Sequence, residues 1–329
     1  MEVVFKNEFL SYLRELGWNF RDVKIMYPER PEMNISVSSI ISIALSRLRG
    51  INPNEYYLDV YEPGLHASDL ARQLGVPLYG SVPLMSQCAT KSGFRTVADK
   101  LGLRIPPGKG NLMSSDAVVE YLEELFAGGS DAAMIKLDTG CGGYGIRVIN
   151  KEACGGHLGE RRKIITSLLE EMGYRPNIDS VTVEKRISSV ASSPSVQIEV
   201  LPDGKYIVRS VHEQLLFHKR IYYGCISIPN LSSRQYREVI ASSIQFAEFL
   251  VQQRFIGFFG MDFIITEEET VYCIEANIRK AASFYPRTVV DRLSVTPQFT
   301  QFQAITIYEP SLRRRSFGDL LRATKDICY

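Results

Sequence analysis

Apolar and polar residues alternate along this chain with two different periods, which predict where its helices and strands lie. Apolar positions three and four residues apart predict helices over 7–16, 38–48, 67–74, 91–103, 116–126, 158–172, 233–253 and 317–327. Short apolar or alternating segments predict strands over 56–61, 76–80, 132–137, 146–149, 181–187, 195–201, 205–210, 258–265, 271–278 and 304–308. Asp203–Gly204 is a strong turn signal and predicts a hairpin between two of these strands.

The mixture of helices with hairpins argues against a simple parallel, doubly wound sheet, because hairpins join antiparallel strands. An α+β fold is therefore expected. The segment GSVPLMSQ, over 80–87, is interpreted as a boundary between two units. We predict a small α/β domain over 1–87, a second unit over 88–183 and a third over 184–329.

The composition of the chain excludes several classes of protein. Its 329 residues are 45% hydrophobic and 23% charged, which is ordinary for a globular protein. The 38 basic and 37 acidic residues nearly cancel, so neither nucleic acid nor a membrane is expected as a partner. The six cysteines include no Cys-x-x-Cys pair, the first residues do not resemble a signal peptide, and no apolar run is long enough to span a bilayer. The expected location is the cytoplasm.

The segment CIEANIRK, over 273–280, places three functional side chains at alternate positions. Alternate side chains of a strand share a face, so Glu275, Asn277 and Arg279 are expected on one face. The residues between them are expected on the opposite, apolar face: Ile274, Ala276 and Ile278. One face of this strand is therefore predicted to carry an acid, an amide and a guanidinium.

The preceding strand supplies a second acid. A turn centred on Glu268–Glu269 would place Asp262 directly opposite Glu275, with the two Cβ atoms about 5 Å apart. Two carboxylates at that distance repel each other unless a cation or a proton lies between them. With the amide oxygen of Asn277, they form an all-oxygen ligand set that suits Mg²⁺. The alternative is that these residues form the solvent-facing polar side of a two-sided sheet.

The segment IKLDTGCGGYGIRV combines a glycine-rich loop with a lysine. Its glycines can expose backbone N–H groups to a phosphate, although a merely flexible turn is the alternative. Because the loop lies between two strands, it is neither a Walker A loop nor a dinucleotide-binding fingerprint. Lys136 faces inward on the preceding strand, where its ammonium would need an anionic partner such as a phosphate. The later segment VEKRI offers a strand edge whose backbone could bond an adenine ring.

Four segments, in this order, resemble the motifs of the ATP-grasp superfamily of ATP-dependent ligases: ATKSGFRTVADKLGLRIPPG, MIKLDTGCGGYGIRVI, VEKRI with SPSVQIEVLPDG, and GFFGMDFII with YCIEANIRK. The resemblance covers roughly 75–285. It implies an ATP-grasp fold, with two α+β lobes that grip ATP, preceded by a small α/β domain. Within the superfamily, KSGFR, PSVQ and the short chain look most like natural-product peptide ligases of the pheganomycin type.

The resemblance implies roles for particular residues. The nucleotide phosphates would be bound by Lys91, Lys136 and the loop glycines Gly140, Gly142, Gly143 and Gly145. Adenine would be held by Glu184 and by the backbone of Lys185 to Ile187. Mg²⁺ would be bound by Asp262, Glu275 and Asn277. The catalytic residues would be Lys136 and Arg279, with Arg279 facing the transferring phosphoryl group and the acyl intermediate.

One departure from the family concerns ribose. Many relatives have an acid soon after the adenine-binding strand, which holds the ribose hydroxyls. Here the corresponding stretch reads SSVASSPS, without an acid, so the ribose contact is unassigned, with Ser192 or Ser193 as candidates.

The substrate side of the site is less defined by motifs, because substrate pockets are built from variable loops. Two histidines are candidates for a base that deprotonates an amine, with a structural or surface role as the alternative: His212 and His218. Three arginines are candidates for binding a substrate carboxylate: Arg186, Arg209 and Arg220.

The function implied by the resemblance is an ATP-dependent ligase that joins a small-molecule carboxylate to an amine through an acyl phosphate, releasing ADP and phosphate. Its expected cofactors are ATP and two Mg²⁺ ions, with Mn²⁺ as a substitute, and a homodimer is an open possibility for its assembly. Two alternatives stay open at this point: a ligase that modifies the tail of a protein, and a nucleotide-binding regulatory protein without turnover. An adenylating variant would release AMP instead of ADP.

Overall fold

The structure is a computed structural model that describes residues 52–138, 145–218, 221–293 and 301–306, and the isolated positions 11, 46, 50, 143, 318, 319 and 322. The predicted helices over 7–16, 38–48 and 317–327 therefore lie outside the described ranges, apart from such isolated positions.

The first unit contains a small parallel pair of strands. After a 3₁₀ turn at Pro53–Glu55 come β1 (Leu58–Asp59), α1 (Leu65–Leu74), β2 (Leu78–Tyr79), α2 (Val82–Cys88) and α3 (Lys91–Leu101), with β1 parallel to β2. The segment predicted to be a boundary, over 80–87, includes most of α2. Ser81 caps this helix through a hydrogen bond from Leu84 N–H, and Pro83 lies in the first turn, where proline does not disturb a helix.

A smaller antiparallel sheet follows. Its strands are β3 (Gly108–Leu112), β4 (Ala132–Leu137), β5 (Ile146–Asn150) and β6 (Val181–Lys185), in the spatial order β3-β6-β4-β5. One face packs on α4 (Ser115–Ala127) and α5 (Leu158–Glu171), while a 3₁₀ turn at Glu152–Cys154 lies between β5 and α5. Fully buried side chains from the sheet and both helices form its core, among them Leu122, Ile135, Ile165 and Val183.

A larger sheet forms the rest of the described chain. Its strands are β7 (Val190–Ser192), β8 (Pro194–Val200), β9 (Tyr206–Phe217), β10 (Ile221–Ile226), β11 (Gly257–Thr266), β12 (Val271–Asn277) and β13 (Gln303–Ile305). Their order is β12-β11-β8-β9-β10-β13, and β7 pairs with the end of β11. The long helix α6 (Ser233–Gln252) packs on one face, and α7 (Phe284–Leu293) follows β12. Residues on the opposite face line the cavity that is described below.

The strand pairs of both sheets are antiparallel, which confirms the predicted α+β class. Three features of the larger sheet differ from the sequence prediction. Strand β9 continues from the predicted 205–210 segment to Phe217, and neither β7 nor β10 was predicted. The length of β9 was missed because His212, Glu213 and Gln214 interrupt the apolar alternation from which strands are predicted.

The three-unit division of the chain stays a prediction. Phe94 of α3, in the unit predicted over 88–183, packs beside Phe246 of α6 in the core of the larger sheet, with ring centroids 6.0 Å apart. Among the described residues, no helix is both long enough and apolar enough to cross a membrane.

Candidate functional site

A cavity of about 550 Å³ lies between the two sheets. It brings together most of the predicted site residues: Lys91, Lys136, Gly143, Glu184, Lys185, Ile187, Asp262, Glu275, Asn277 and Arg279. Gly145 is described but does not line the cavity, while Gly140 and Gly142 lie outside the described residues. The predicted phosphate, adenine and metal residues thus surround one space.

The hairpin of β11 and β12 pairs Asp262 with Glu275, as predicted. Nearer the turn, however, the predicted register is wrong, since Ile265 pairs with Val271 and Thr266 N–H donates to Thr270 at 3.0 Å. The turn contains three residues rather than two, and Glu269 adopts the left-handed conformation (φ 63°) typical of such a turn.

A β-bulge restores the pairing at the acids. The register shifts between Asp262 and Phe263, whose partners are Glu275 and Cys273, so that Ile274 is the extra residue. The side chain of Ile274 was predicted on the apolar face, but it lines the cavity. The bulge therefore places an apolar side chain and an acid next to each other on the cavity face.

The two acids are held close together by polar neighbours. Ser195 Oγ–H donates to Asp262 Oδ1 at 2.6 Å, and Asn277 Nδ2 lies 3.2 Å from Asp262 Oδ2 and 3.4 Å from Glu275 Oε1. Burial, and then the adjacent Glu275 carboxylate, raise the pKa of Asp262 to about 8. A cation between the acids would remove this unfavourable electrostatic interaction.

The chemistry of these side chains fits Mg²⁺. Among the described residues, no cluster of three His, Cys, Asp or Glu side chains could hold a metal, and the side chain next to the two acids that can offer a further oxygen is the amide of Asn277. A half-turn of the Asn277 amide exchanges its nitrogen for its oxygen and points the oxygen at the gap between the acids. Two carboxylates and an amide oxygen are hard ligands, as Mg²⁺ requires.

Lys136 belongs to a buried ion triad. Its Nζ lies 2.5 Å from Glu184 Oε2, and Arg95 Nη1 lies 2.9 Å from Glu184 Oε1. Arg95 also donates to the carbonyl oxygens of Pro106 and Gly108 at 2.9 and 2.8 Å. Both oxygens of Glu184 are therefore paired, so this carboxylate positions Lys136; its predicted contact with adenine stays a prediction.

Lys91 begins α3 and is also buried. Burial lowers the pKa of Lys91, and the Glu275 carboxylate opposes that shift, which shows that Lys91 lies near the acid pair. The next residue, Ser92, donates through N–H and Oγ–H to Asp138 Oδ1 at 3.2 and 2.9 Å. Asp138, at the end of β4, therefore fixes the start of α3 beside the cavity.

Part of the cavity lining is apolar. Met134, Ile146 and Val148 of the smaller sheet line it, as do Ile264 and Ile274 of the larger sheet. The space between the two sheets is thus suited to a flat ring.

Two backbone N–H groups beside this apolar space already donate hydrogen bonds within the protein. Lys185 N–H donates to Pro107 at 2.7 Å, and Arg186 N–H donates to Ala132 at 3.1 Å. Of the stretch predicted to hold adenine, the N–H groups of Lys185 and Arg186 are therefore used within the sheet, which leaves Ile187 N–H for a base.

Arg279 is held by the first unit. Its Nε lies 3.3 Å from Glu62 Oε2, and its guanidinium lies 5.4 Å from the centroid of the Tyr61 ring. Lys280 pairs with Asp59, also of the first unit. The loop after β1 thus orients the predicted catalytic arginine.

An acid that was not predicted as a site residue, Glu213, lies beside the serine-rich stretch over 188–195. Ser192 Oγ–H and Ser193 N–H each donate to the Glu213 carboxylate at 2.6 Å, and all three residues line the cavity. The serine-rich stretch therefore holds an acid contributed by β9, more than 20 residues later in the chain.

The histidines and arginines predicted for the substrate side of the site do not all reach the cavity. His212 and His218 line the cavity, and so does Arg186. Arg209 points elsewhere, because its Nε donates to Glu199 Oε2 at 2.7 Å, while Arg220 lies outside the described residues.

Arg95, Asp138 and Glu213 were missed by the sequence prediction. Arg95 stands inside the motif KSGFR, and Asp138 directly follows the strand that carries Lys136. The signal that could have identified Arg95 is a charged residue at a helix position that is expected to be buried, because a buried charge needs a partner. Glu213 had no such signal, since only the strand pairing brings it to Ser193.

The chain is similar to known proteins in both sequence and structure. No family model matches the chain. Among curated proteins, L-propargylglycine–L-glutamate ligase from Streptantibioticus cattleyicolor is 28% identical over 221 residues, which are 64% of this chain and 45% of that ligase. The chain therefore spans about half the length of that relative.

Two solved structures are similar to this chain in fold. The biotin carboxylase domain of 2-oxoglutarate carboxylase from Hydrogenobacter thermophilus, in complex with MgADP, has a TM-score of 0.59 at 17% identity over 78% of this chain and 54% of that chain. D-alanyl-alanine synthetase A from Vibrio cholerae has a TM-score of 0.52 at 15% identity over 70% of this chain and 68% of that one. The chain has the ATP-grasp fold, and its resemblance to ATP-grasp ligases is confirmed.

Proposed function

We propose that this chain is an ATP-dependent ligase that joins a carboxylate to an amine and releases ADP and phosphate. The observation that supports it best is the arrangement of one cavity, in which buried Lys136 of the smaller sheet and buried Lys91 of α3 line the same space as an opposed acid pair on the larger sheet. Lysines on one side can pair with phosphates, and acids on the other side can hold the metal ion that accompanies them. This arrangement suits a nucleoside triphosphate.

The nucleotide would lie across the cavity. Its adenine fits the apolar slot beside Ile187, and its phosphates fit beside Lys91, Lys136 and Gly143. Glu213, fixed by Ser192, is a candidate for the ribose hydroxyls, which require acceptors. This placement follows the predicted roles, with the acid of β9 added for ribose.

Mg²⁺ would be held by Asp262, Glu275 and Asn277. When bound, it offsets the negative charge of the phosphates and of the attacking carboxylate. We propose two ions, because the acid pair has enough oxygens to bridge them, and we expect Mn²⁺ to substitute, since it shares the preference for oxygen ligands.

Arg279 would act on the transferring group. A substrate carboxylate attacks the γ-phosphate, the bond to ADP breaks, and an acyl phosphate results. The amine then forms the C–N bond, while phosphate leaves with the electron pair of the C–O bond. The guanidinium of Arg279, oriented by Glu62 and Tyr61, is suited to the phosphoryl oxygens.

Amino acids or peptides are the proposed substrates, because the curated relative is named for two amino acids. We further propose the cytoplasm as the location, which is consistent with four buried, unpaired cysteines among the described residues.

The test is incubation of the protein with MgATP and paired amino acids, followed by measurement of ADP, AMP and phosphate and by mass spectrometry of the products. Ligation predicts ADP and phosphate in equal amounts with one condensed product. AMP formation would favour an adenylating enzyme, and ATP binding without any turnover across the panel would contradict the proposed function.

A further inference from the structure

A row of directly paired residues crosses the larger sheet at the cavity. Glu275 pairs with Asp262, and Asp262 pairs in turn with Ser195 of β8. On its other side, Ser195 pairs with His212 of β9. Directly opposed residues of antiparallel strands point to the same face, so His212 lies on the face of the acid pair, two strand spacings or about 10 Å from Asp262.

His212 has an unused polar atom. Its side chain is only 1% exposed, it lines the cavity, and its Nε2 has no hydrogen-bond partner. Burial also lowers the pKa of His212 to about 4, so that the imidazole is uncharged near neutral pH. A buried polar atom without a partner requires an explanation, and a ligand that supplies the missing hydrogen bond is one.

The charges around the cavity are unevenly distributed. Lysine and arginine line the side formed by the smaller sheet and the Arg279 end. By contrast, the described lining residues of β8, β9 and β10 include no lysine or arginine and do include the Glu213 carboxylate. Anionic phosphates therefore belong on the first side, and an amine is better tolerated on the second.

We propose that Nε2 of His212 accepts a hydrogen bond from the attacking amine of the second substrate. The inference rests on the proposed ligase function and adds the side of the cavity from which the amine approaches.

An uncharged imidazole protonated at Nδ1 offers a lone pair at Nε2, which needs a donor. An ionised carboxylate has acceptors only, whereas an amine has N–H groups. His212 orients the nitrogen toward the acyl carbon; the proton released as the C–N bond forms passes to phosphate or solvent.

The ribose hydroxyls of a bound nucleotide are an alternative donor to Nε2 of His212, and the experiment separates them from the amine. Two variants of similar size are compared with the wild type. His212→Phe keeps a ring but removes the acceptor, and His212→Gln keeps a polar atom near the Nε2 position.

Three quantities are measured for each protein: the Kd of MgADP by calorimetry, hydroxamate formation from the carboxylate, MgATP and concentrated hydroxylamine, and kcat/KM for the amine found in the panel. Hydroxylamine traps an acyl phosphate without needing an oriented amine site.

In His212→Phe, we expect the Kd of MgADP and the hydroxamate rate to stay within about twofold of wild type. The kcat/KM for the amine should fall about tenfold to a hundredfold, as expected when one buried hydrogen bond is lost. His212→Gln should recover part of that loss.

A Kd for MgADP weakened tenfold in His212→Phe would assign His212 to the ribose and overturn the proposal. Unchanged amine kinetics would overturn it too, while leaving the ligase function intact. If the wild type formed neither hydroxamate nor amide, the ligase function itself would fail, and this inference with it.

Discussion

At the scale of single residues, Asp262 and Glu275 combine a cost in stability with a benefit for metal binding. The two carboxyl groups are directly paired and partly buried, and burial, followed by repulsion from Glu275, raises the pKa of Asp262. Without a metal, such a pair destabilises the fold, since either two like charges share a site of low dielectric constant or one carboxyl group has to hold a proton above its ordinary pKa. Side chains that oppose folding in this way are typical of functional sites.

Glu275→Gln separates these two effects. We expect turnover to fall at least a hundredfold, because the variant loses a ligand of the proposed Mg²⁺, and it is the metal whose charge offsets that of the phosphates. We expect the metal-free variant to be as stable as the wild type or more stable, as judged by thermal unfolding in EDTA. Glu267→Gln, on the exposed turn of the same hairpin, is the control and should change neither quantity. Full activity of Glu275→Gln would contradict the metal site.

Arg95→Met tests the buried triad. Loss of Arg95 leaves two carbonyl oxygens and one oxygen of Glu184 without their cation. The free energy of unfolding should fall by about 3 kcal/mol, and the KM for ATP should rise because Lys136 loses its orientation. Chemical denaturation and ATP kinetics measure the two effects. The control is Arg162→Met, which breaks an exposed pair with Asp116 and should cost less than about 1 kcal/mol. Equal effects of both changes would contradict the role of the triad.

His212 also makes stability depend on pH. The unfolded chain protonates this histidine below about pH 6.5, whereas the folded chain does so only below a pKa of about 4. Between these values the unfolded state binds more protons, so the free energy of unfolding falls as the pH drops. This contribution is absent above pH 6.5 and amounts to about 2 kcal/mol between pH 7.5 and 5.

Urea denaturation at the two pH values measures this effect. His212→Gln should lose about 2 kcal/mol less than the wild type over that interval. His66→Gln, at an exposed histidine, should behave as the wild type does. An unchanged pH dependence in His212→Gln would show that another group is responsible.

At the scale of secondary-structure elements, the hairpin of β11 and β12 shows what sequence periodicity can and cannot predict. Alternation placed Glu275 and Asn277 on one face and paired Glu275 with Asp262, and both features are present. The three-residue turn and the bulge at Ile274 were not predictable, because each shifts the register by one and the two shifts cancel at the acids.

The same limit applies to the other elements. The longer helices follow from their apolar spacing, as α6 shows, whereas α2 depends on a Ser81 cap and β10 on pairing with β9. Of the site, Lys136 and the acid pair were predictable from local motifs. Glu213 and His212 were not assignable from local sequence, because only neighbouring strands bring them to Ser193 and Ser195.

Glu269→Gly tests the turn. Glu269 has a left-handed backbone (φ 63°), which glycine adopts without steric cost. The variant should be more stable by roughly 0.5–1 kcal/mol in chemical denaturation. Glu268→Gly, one position earlier in the same turn, should instead be neutral or destabilising, since Glu268 is not in the left-handed region. A stabilisation of equal size at both positions would contradict the proposed turn.

At the scale of the whole molecule, three parts of the chain meet at one cavity. The smaller sheet contributes Lys136, the larger sheet contributes the acid pair, with Arg279 just after β12, and the first unit contacts Arg279 through Glu62. A buried contact fixes the first unit in place, since Tyr79 Oη–H donates to Glu199 Oε1 at 2.5 Å. The first unit therefore contacts Arg279, the predicted catalytic arginine, although β1 and β2 carry none of the residues predicted to bind ATP or Mg²⁺.

Glu62→Gln tests whether this connection matters for turnover. The Glu62 side chain is 55% exposed, so its ion pair should add little to stability, and unfolding should change by less than about 0.5 kcal/mol. Without the charge, Arg279 is less firmly oriented toward the transferring group, and kcat should fall roughly three- to tenfold, because catalysis is sensitive to small displacements. The KM for ATP should stay unchanged, since the proposed adenine and phosphate contacts come from the smaller sheet, from α3 and from Ile187, and not from Glu62. Glu55→Gln, at an exposed acid of the same unit, is the control and should leave kcat unchanged. If Glu62→Gln kept full kcat, the charge of Glu62 would have no part in the reaction, and the orientation of Arg279 would have to come from its other contacts, such as that with Tyr61.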